Sequence, residues 1–317
     1  MKILVTGGFG YIGGRLCQHL QAQGHEVTLT SRRPSQDWPV WAQGFEVRSA
    51  DTQDASALAE LCGAHDALIH LASLNEVYCG QDPVAAVEVN SVDTLRWVLA
   101  AQGRVERLVY FSTAHVYQAP LVGHINESSP CRPRHPYAYS HRAAEDYVLA
   151  AKDNGHFAAA VVRLSNSFGA PADVAVDRWT LLVNDLCVQA VQKKQLELRS
   201  SGLQHRDFVT MQDVLAGTVH LLSLPADQLG DGLFNLGSGQ SESILSMTER
   251  VAARAEVVLG FRPPVLRPEP KPSEVEEPLF FSIDKLKATG FVPQNDLDRE
   301  IDETLLLCQR ELADAPR

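Results

Sequence analysis

Three glycines near the start of the chain are spaced so that they could hold a pyrophosphate. Gly7, Gly10 and Gly13 lie in the string TGGFGYIG, after a short apolar run and before an amphipathic segment. Glycine permits a tight turn and a close backbone approach, and the N-terminus of a following helix favours negative charge. The motif predicts a dinucleotide-binding turn; the alternative is that the glycines only pack helix on strand. A P-loop fits less well, because Gly14-Arg15 replaces the required Lys-Ser/Thr.

The residues after the second predicted strand bear on the choice of dinucleotide. About 20 residues beyond such glycines, an acidic side chain would bind the ribose hydroxyls of NAD. This chain has Ser31-Arg32-Arg33 there, with no carboxylate between Glu26 and Asp37. Guanidinium groups complement a 2′-phosphate, so we expect NADP(H), with NAD(H) as the alternative. The other interpretation is that Arg32 and Arg33 are solvated loop residues.

Alternating strand and helix patterns predict the elements that position these residues. Strands are predicted at 2–5, 26–30, 45–49, 67–71, 107–112 and 159–164, and helices at 12–23, 55–61, 83–101 and 136–152. Strands separated by helix-length segments imply right-handed crossovers and a parallel sheet covered on both faces. We therefore expect an α/β fold with a doubly wound parallel (Rossmann) sheet.

The alternation weakens in the second half, which predicts a smaller C-terminal α/β substrate domain. We expect a dinucleotide-binding domain over 1–165 and a substrate domain over 166–317, with elements near 207–225 returning to the first. The second half is predicted to contain loops at 166–178, a helix at 179–192, and a strand plus helix over 206–224. Six prolines between 262 and 278 predict an extended loop crossing a cleft.

Composition excludes several other classes of protein. The 317 residues carry 28 Lys and Arg against 39 Asp and Glu, a net charge of −11, which argues against nucleic-acid binding. Six scattered cysteines form no Cys-x-x-Cys pair and no zinc spacing, so we expect reduced thiols and no metal site. No signal peptide or membrane-spanning run is recognisable, which predicts a cytoplasmic protein without membrane contacts.

The order of several short strings, through most of the chain, resembles the extended short-chain dehydrogenases/reductases of the NAD-dependent epimerase/dehydratase family. Besides the glycine motif these strings are His70-Leu71-Ala72, Asn90, Phe111-Ser112-Thr113, Pro136-Tyr137, Arg163-x-x-Asn166-x-x-Gly169, Arg206-Asp207-Phe208 and Asn235-Leu236-Gly237. The resemblance implies an oxidoreductase or epimerase that transfers hydride at a carbon of a nucleotide-linked sugar, C4 being the first expectation.

The same resemblance implies the catalytic residues. The family uses a Ser or Thr, a Tyr, and a Lys four residues after the Tyr; the matching positions here hold Thr113, Tyr137 and His141. A free Tyr has a pKa near 10, and a histidine with a pKa near 6.5 supplies only part of the positive charge that lysine would supply. His141 is then a working substitute that favours Tyr137 as proton donor, or the pair is a relic in a protein that binds without turnover. The third alternative is that Tyr139 and Arg142 have taken over.

The resemblance also extends the predicted binding residues. The expected cofactor-binding residues are Gly7, Phe9, Gly10, Tyr11, Ile12, Gly13, Ser31, Arg32, Arg33, Asp51, Thr52, Leu71, Ala72, Ser73, Asn90, Tyr137 and His141. The expected substrate-binding residues are Ser112, Thr113, Asn166, Trp179 and Arg206. Related dehydratases carry an Asp-Glu pair where this chain has Ala114-His115, so sugar dehydration is not expected.

The reaction itself stays open at this point. An epimerase that retains NAD and a reductase that consumes NADPH have similar sequence patterns, although the two arginines favour the reductase. A nucleotide-binding protein without catalysis and a reductase of a non-sugar carbonyl are the alternatives. The family pairs its subunits through helices, so we expect a homodimer through 83–101 and 136–152.

Overall fold

The computed structural model describes residues 1–313 as alternating strands and helices. The strands are β1 (Lys2–Thr6), β2 (Glu26–Thr30), β3 (Glu46–Arg48), β4 (Ala67–His70), β5 (Arg107–Thr113), β6 (Gly123–Ile125), β7 (Ala158–Leu164), β8 (Asn166–Phe168), β9 (Leu196–Glu197), β10 (His205–Thr210), β11 (Leu233–Leu236), β12 (Ser241–Ser243), β13 (Val265–Leu266) and β14 (Leu279–Phe281). The helices are α1 (Tyr11–Ala22), α2 (Ala55–Gly63), α3 (Glu76–Gln81), α4 (Pro83–Val87), α5 (Asp93–Ala101), α6 (Pro136–Asp153), α7 (Leu182–Gln192), α8 (Met211–Ser223), α9 (Ile244–Leu259), α10 (Asp284–Ala288) and α11 (Leu297–Glu311).

Seven of these strands form one parallel sheet in the order β11-β7-β5-β4-β1-β2-β3. Neighbouring residues of the central strands are buried on opposite faces: Ile3 and Val5 pack with α1 and α8, whereas Leu4 packs with α2, α5 and α6. A sheet buried on both faces requires apolar residues at successive positions. The predicted doubly wound parallel sheet is confirmed.

The helix predicted over 83–101 is interrupted by a wider turn. Between α4 and α5, residues Glu88–Val92 form a π-helical turn. Within this turn the Asn90 side chain accepts a hydrogen bond from the Leu74 amide at 2.7 Å and donates one to the Ser140 hydroxyl at 3.1 Å. Such turns carry an extra residue within a helix and are frequent at functional sites. The helix predicted over 83–101 is therefore confirmed in its bounds, but the π-helical turn within it was not predicted.

Smaller sheets follow in the second half. Strands β12, β10 and β8 form a three-stranded sheet, although loops were expected over 166–178. Pairing of β8 with β10 explains this difference, because isolated three-residue strands have no local signal. Helix α8 packs against α1 and β5 of the large sheet, and β11, which the sequence analysis did not predict, is the outermost strand of that sheet.

The proline-rich segment departs from expectation. Part of it is strand β13, which pairs with β9, and the Arg267 side chain donates to the Ser201 carbonyl at 2.8 Å. The segment ends at β14, which pairs with β6. Among the described residues, none from 262–278 lines the large pocket described next. The expectation that this loop crosses the cleft was wrong.

Candidate active site

One pocket of about 740 Å³ opens at the carboxyl ends of β1, β4 and β5. Ligands of open α/β sheets bind at this edge, where loops from adjacent strands diverge, and the volume lies in the range of small-molecule sites. The glycine motif lines one part of the pocket. Two further groups lie in it: Thr113, Tyr137 and His141, here called the tyrosine end, and Ser31, Arg32 and Arg33, here called the arginine end.

The glycine motif forms a turn that has no room for side chains. Gly7 has a φ of +70°, and a Cβ there would lie 2.8 Å from the Ala72 nitrogen. A Cβ on Gly13 would lie 2.3 Å from the Gly7 carbonyl oxygen. Helix α1 begins at Tyr11 without a side-chain cap and without an acidic residue in its first turn. A backbone cradle at an uncapped helix N-terminus fits the pyrophosphate of a dinucleotide.

At the arginine end, backbone contacts hold the loop after β2. The Arg33 amide donates to the Ser31 hydroxyl at 3.0 Å, and the Trp38 indole donates to the Arg33 carbonyl at 3.1 Å. Within residues 1–313, neither guanidinium of Arg32 and Arg33 forms an ion pair, and both side chains are exposed. Two unneutralised cations beside the cradle suit an additional phosphate.

At the tyrosine end, Tyr137 and His141 contact each other. Both lie on helix α6, which begins at Pro136 with His135 as N-cap. Their spacing of four residues places them one helical turn apart. Their ring centroids are 4.6 Å apart with the planes at 71°. Burial raises the pKa of Tyr137 to about 12, while Arg178 and the Thr113 hydroxyl act in the opposite direction. Tyr137 is therefore a protonated phenol at neutral pH.

His141 is neutral, contrary to the expectation of a partly charged imidazole. It is 2 % exposed, and burial lowers its pKa to about 4, a shift that nearby Glu145 opposes. Its Nδ1 lies 2.7 Å from the Tyr110 hydroxyl, whereas its buried Nε2 has no partner among the described residues. Because His141 lines the pocket, that nitrogen fits a polar group of a bound ligand.

A buried ionic network lies behind Thr113. The Ser112 hydroxyl donates to Glu145 at 2.5 Å, and Arg163 donates to both oxygens of the same carboxylate, at 2.9 and 2.6 Å. Arg163 also lies over the Tyr117 ring, 4.6 Å from its centroid. Paired in this way, the charges fix the end of β5 on which Thr113 lies.

The opposite wall carries polar groups for a substrate. Arg206 lines the pocket, forms no ion pair within residues 1–313, and burial lowers its pKa. Asn166, on β8, also lines the pocket and donates to the Asp207 carbonyl at 3.0 Å. His115 lines the pocket, and burial followed by the charge of Arg206 lowers its pKa. These groups line the same pocket as the tyrosine end and suit a polar or anionic ligand.

Three residues predicted to bind ligands do not line the pocket. The Asp51 carboxylate is exposed and accepts a hydrogen bond from the Gln53 amide at 2.9 Å. Asn90 is completely buried between α3 and α6 and supports the wall from behind. Trp179 donates its indole N–H to the Val174 carbonyl at 2.9 Å. Their neighbours Thr52, Arg178 and Thr180 line the pocket instead.

The predicted residues that do line the pocket are Gly7, Phe9, Gly10, Tyr11, Ile12, Gly13, Ser31, Arg32, Arg33, Thr52, Leu71, Ala72, Ser73, Ser112, Thr113, Tyr137, His141, Asn166 and Arg206. Sequence reasoning missed Glu76 and Arg178, which lie 3.3 Å apart as an ion pair on the pocket wall. It also missed Tyr110. An alternating strand pattern signals burial of Tyr110 but not its partner, because His141 is 31 residues away.

Metal binding has no geometric support in the described part of the chain. No group of three or more His, Cys, Asp or Glu side chains within residues 1–313 is arranged to hold an ion. Over the same range, every helix is too short or too polar to cross a membrane.

Comparison with known proteins agrees with this architecture. Residues 3–237 match the model of the NAD dependent epimerase/dehydratase family. UDP-glucuronic acid decarboxylase 1 of Xenopus tropicalis is 29% identical over 267 residues, covering 79% of this chain and 59% of the relative. UDP-arabinose 4-epimerase 1 of Arabidopsis thaliana is 25% identical over 294 residues, covering 82% and 69%. This chain thus spans about three fifths of the decarboxylases it matches.

Solved structures give the same fold. Thermus thermophilus UDP-glucose 4-epimerase, solved with NAD, has a TM-score of 0.77 at 26% identity, with 96% of this chain and 98% of the other covered. Thermotoga maritima UDP-glucose 4-epimerase, solved with UDP-glucose, has a TM-score of 0.81 at 18% identity, with 98% and 99% covered. The second likeness concerns the fold alone.

Proposed function

This chain belongs to the NAD-dependent epimerase/dehydratase family, and from that premise we propose that it transfers hydride at a carbon of a nucleotide-linked sugar. One observation carries the proposal: a single pocket contains the glycine cradle, the Tyr137 phenol with its Thr113 partner, and the unpaired Arg206 on the facing wall. The glycine cradle can hold a dinucleotide, the phenol can move a proton and the arginine can bind a diphosphate. The nucleotide-sugar relatives named above support the same substrate class.

The residues of the tyrosine end have separate roles at the sugar oxygen. When bound, the nicotinamide supplies or accepts the hydride. The Tyr137 hydroxyl holds the proton that a carbonyl oxygen needs on reduction, and the Thr113 hydroxyl orients that oxygen by hydrogen bonding. Because the phenol pKa is raised to about 12 and His141 is neutral, Tyr137 carries its proton at neutral pH and is present in the donor form. This favours reduction of a keto-sugar, with C4 as the expected position.

The arginine end supports a preference for NADP(H). Arg32 and Arg33 lie at the pocket with no carboxylate neutralising them among the described residues. The Thermus thermophilus relative was solved with NAD, so NAD(H) is the competing cofactor. A reductase consumes its reduced dinucleotide, whereas an epimerase regenerates it in each turnover, so cofactor choice and reaction are linked.

We also propose a homodimer through the outer helices. Val84, Val87, Leu99 and Tyr139 are exposed on α4, α5 and α6, at 68%, 41%, 54% and 38% of their full areas. Burying such a patch on a second copy removes apolar surface from water. Sedimentation at micromolar concentration tests this: a monomer would contradict it.

The experiment that tests the function combines binding with product analysis. Native mass spectrometry and titration with NAD and NADP establish which dinucleotide binds. UDP-glucose, UDP-glucuronic acid and their 4-keto derivatives are then incubated with both reduced and oxidised forms and followed by NMR. We expect reduction of a 4-keto sugar with NADPH, and a loss of about 10²–10⁴-fold in turnover in Tyr137→Phe. Retained NAD with interconverted epimers would favour epimerisation.

A matched control separates chemistry from folding. Tyr78→Phe removes an exposed phenol outside the pocket and should leave turnover unchanged. Dinucleotide binding without turnover on any of these sugars, together with no effect of Tyr137→Phe, would support the nucleotide-binding alternative. Turnover only on apolar ketones would support the non-sugar alternative.

A further inference from the structure

A buried row of aromatic rings continues inward from His141. Tyr110 is 2% exposed in the middle of β5, with its ring centroid 5.9 Å from that of His141. On its other side the His70 ring stacks on it at 5.8 Å with 23° between the planes. Phenol and imidazole groups in such a place must satisfy one another, because water does not reach them.

The hydrogen bonds at the inner end of the row determine its proton positions. The Thr94 hydroxyl donates to the Asn90 carbonyl at 2.8 Å, so its oxygen faces His70 Nε2, 2.9 Å away, as an acceptor. His70 Nε2 therefore carries the proton. His70 Nδ1 then accepts from the Thr6 hydroxyl at 2.6 Å. Burial lowers the pKa of His70 to about 3, in agreement with a neutral ring.

The proton positions at the outer end of the row, on Tyr110 and His141, follow from those at the inner end. The Tyr110 hydroxyl has one proton to donate and two neighbours that can accept it, the Thr94 oxygen and His141 Nδ1. The Thr94 oxygen already accepts from His70, and an imidazole nitrogen is a more basic acceptor than a hydroxyl oxygen, so we assign the Tyr110 proton to Nδ1, 2.7 Å from the phenol oxygen. Donation to Nδ1 places the His141 proton on Nε2, the buried nitrogen without a partner on the pocket wall.

We propose that Tyr110 is a positioning residue that holds His141 as its neutral Nε2–H tautomer, so that Nε2 donates a hydrogen bond to a dinucleotide bound in the pocket. Which dinucleotide group receives it rests on the proposed function, under which a ribose hydroxyl is the matching acceptor. Histidine then replaces the donor function of the family lysine but not its charge. The groups facing the imidazole are Tyr110, Tyr137 and Glu145, and only the last can carry charge near neutrality.

Long-range ¹H–¹⁵N spectra of the histidine-labelled wild-type protein test the tautomer. His141 is one of 11 histidines and is assigned by its absence from His141→Gln. At pH 7 we expect a pyrrole-type shift for Nε2 and a pyridine-type shift for Nδ1. A protonated Nδ1 would overturn the proposal, whether or not the protein turns over a sugar.

Cofactor affinity gives the second readout. Tyr110→Phe keeps the ring and removes the donor, so we expect mixed tautomers of His141 and an increase of about twofold in the Kd of both NAD and NADP, because only the Nε2–H tautomer is competent to donate. Tyr78→Phe, at an exposed tyrosine outside the pocket, is the control and should change neither. An unchanged tautomer with unchanged Kd in a folded Tyr110→Phe protein would contradict the role of Tyr110. Failure of sugar turnover alone would contradict only the proposed function.

Discussion

At the tyrosine end of the pocket, Tyr137, His141 and Tyr110 contact one another inside the protein, whereas at the arginine end Arg32 and Arg33 are exposed on a loop. Burial at the tyrosine end raises the pKa of Tyr137 to about 12 and lowers that of His141 to about 4. At the arginine end the charges stay in water and are screened by salt. Substitutions at the first end should therefore change stability and proton transfer, and those at the second should change ligand preference.

The largest effect is expected for Glu145→Gln, which tests the support behind the tyrosine end. This substitution removes the negative charge that pairs with the buried Arg163 and replaces one of the two acceptor oxygens with an amide NH₂ group. We expect a loss of about 3–5 kcal/mol in the free energy of unfolding, measured by urea denaturation. Asp146→Asn, the adjacent exposed carboxylate on the same helix, should cost at most about 1 kcal/mol. Equal losses in the two variants would contradict the network.

Acid should destabilise the protein through its buried histidines. Burial holds the pKa of His70 at about 3 and that of His141 at about 4, below the ordinary 6.5. The unfolded chain therefore binds protons that the folded protein does not, so stability is complete above pH 6.5 and falls toward pH 4. At pH 5 this amounts to on the order of 2 kcal/mol per histidine.

Denaturation curves between pH 7 and pH 5 measure this dependence. His141→Gln should lose about half of the contribution of the two histidines, while His124→Gln, at an exposed histidine, should keep the slope of the wild type. If His141→Gln retained the complete slope, the imidazole at 141 would not be held neutral.

His141→Lys places the family's lysine charge beside Tyr137 and tests whether a charge at 141 controls the Tyr137 pKa. An ammonium in contact with the phenol should lower the Tyr137 pKa by at least about one unit, or about 1.4 kcal/mol. As a proton donor Tyr137 is active below its pKa, so the alkaline limit of carbonyl reduction should move to lower pH in this variant. Spectrophotometric titration of tyrosinate, with Tyr137→Phe as the reference, measures the Tyr137 pKa in both proteins, and equal values would show that the charge at 141 has no influence.

The smallest effect is expected at the arginine end. Arg33→Ser removes one exposed cation, so we expect the Kd of NADP to rise about fivefold, near 1 kcal/mol, and the Kd of NAD to stay within about twofold. The difference should shrink between 50 mM and 500 mM salt because exposed charges are screened. Arg48→Ser, an exposed arginine outside the pocket, is the control. An equal loss for both dinucleotides would remove the basis for an NADP preference.

Much of the large sheet could be predicted from the sequence because its signals are local. The predicted strand over 26–30 coincides with β2, and the predicted helix over 136–152 differs from α6 only at its last residue. Strand β8 and the π-helical turn at Glu88–Val92 could not be predicted, because distant pairing and side-chain contacts produce them. The same holds for the site: neighbouring residues in the glycine motif were found together, whereas Asn90 was assigned to a ligand that it does not face.

The sequence by itself determined which residue types are available for the chemistry: glycines after the first strand, a tyrosine and a histidine one helical turn apart, and two arginines after the second strand. Only the tertiary structure decided their states. Whether His141 is charged depends on the burial of its ring and on Tyr110, 31 residues away. Free energies of protonation depend on the solvent and charges surrounding a group, and those surroundings come from segments that meet only in the folded chain.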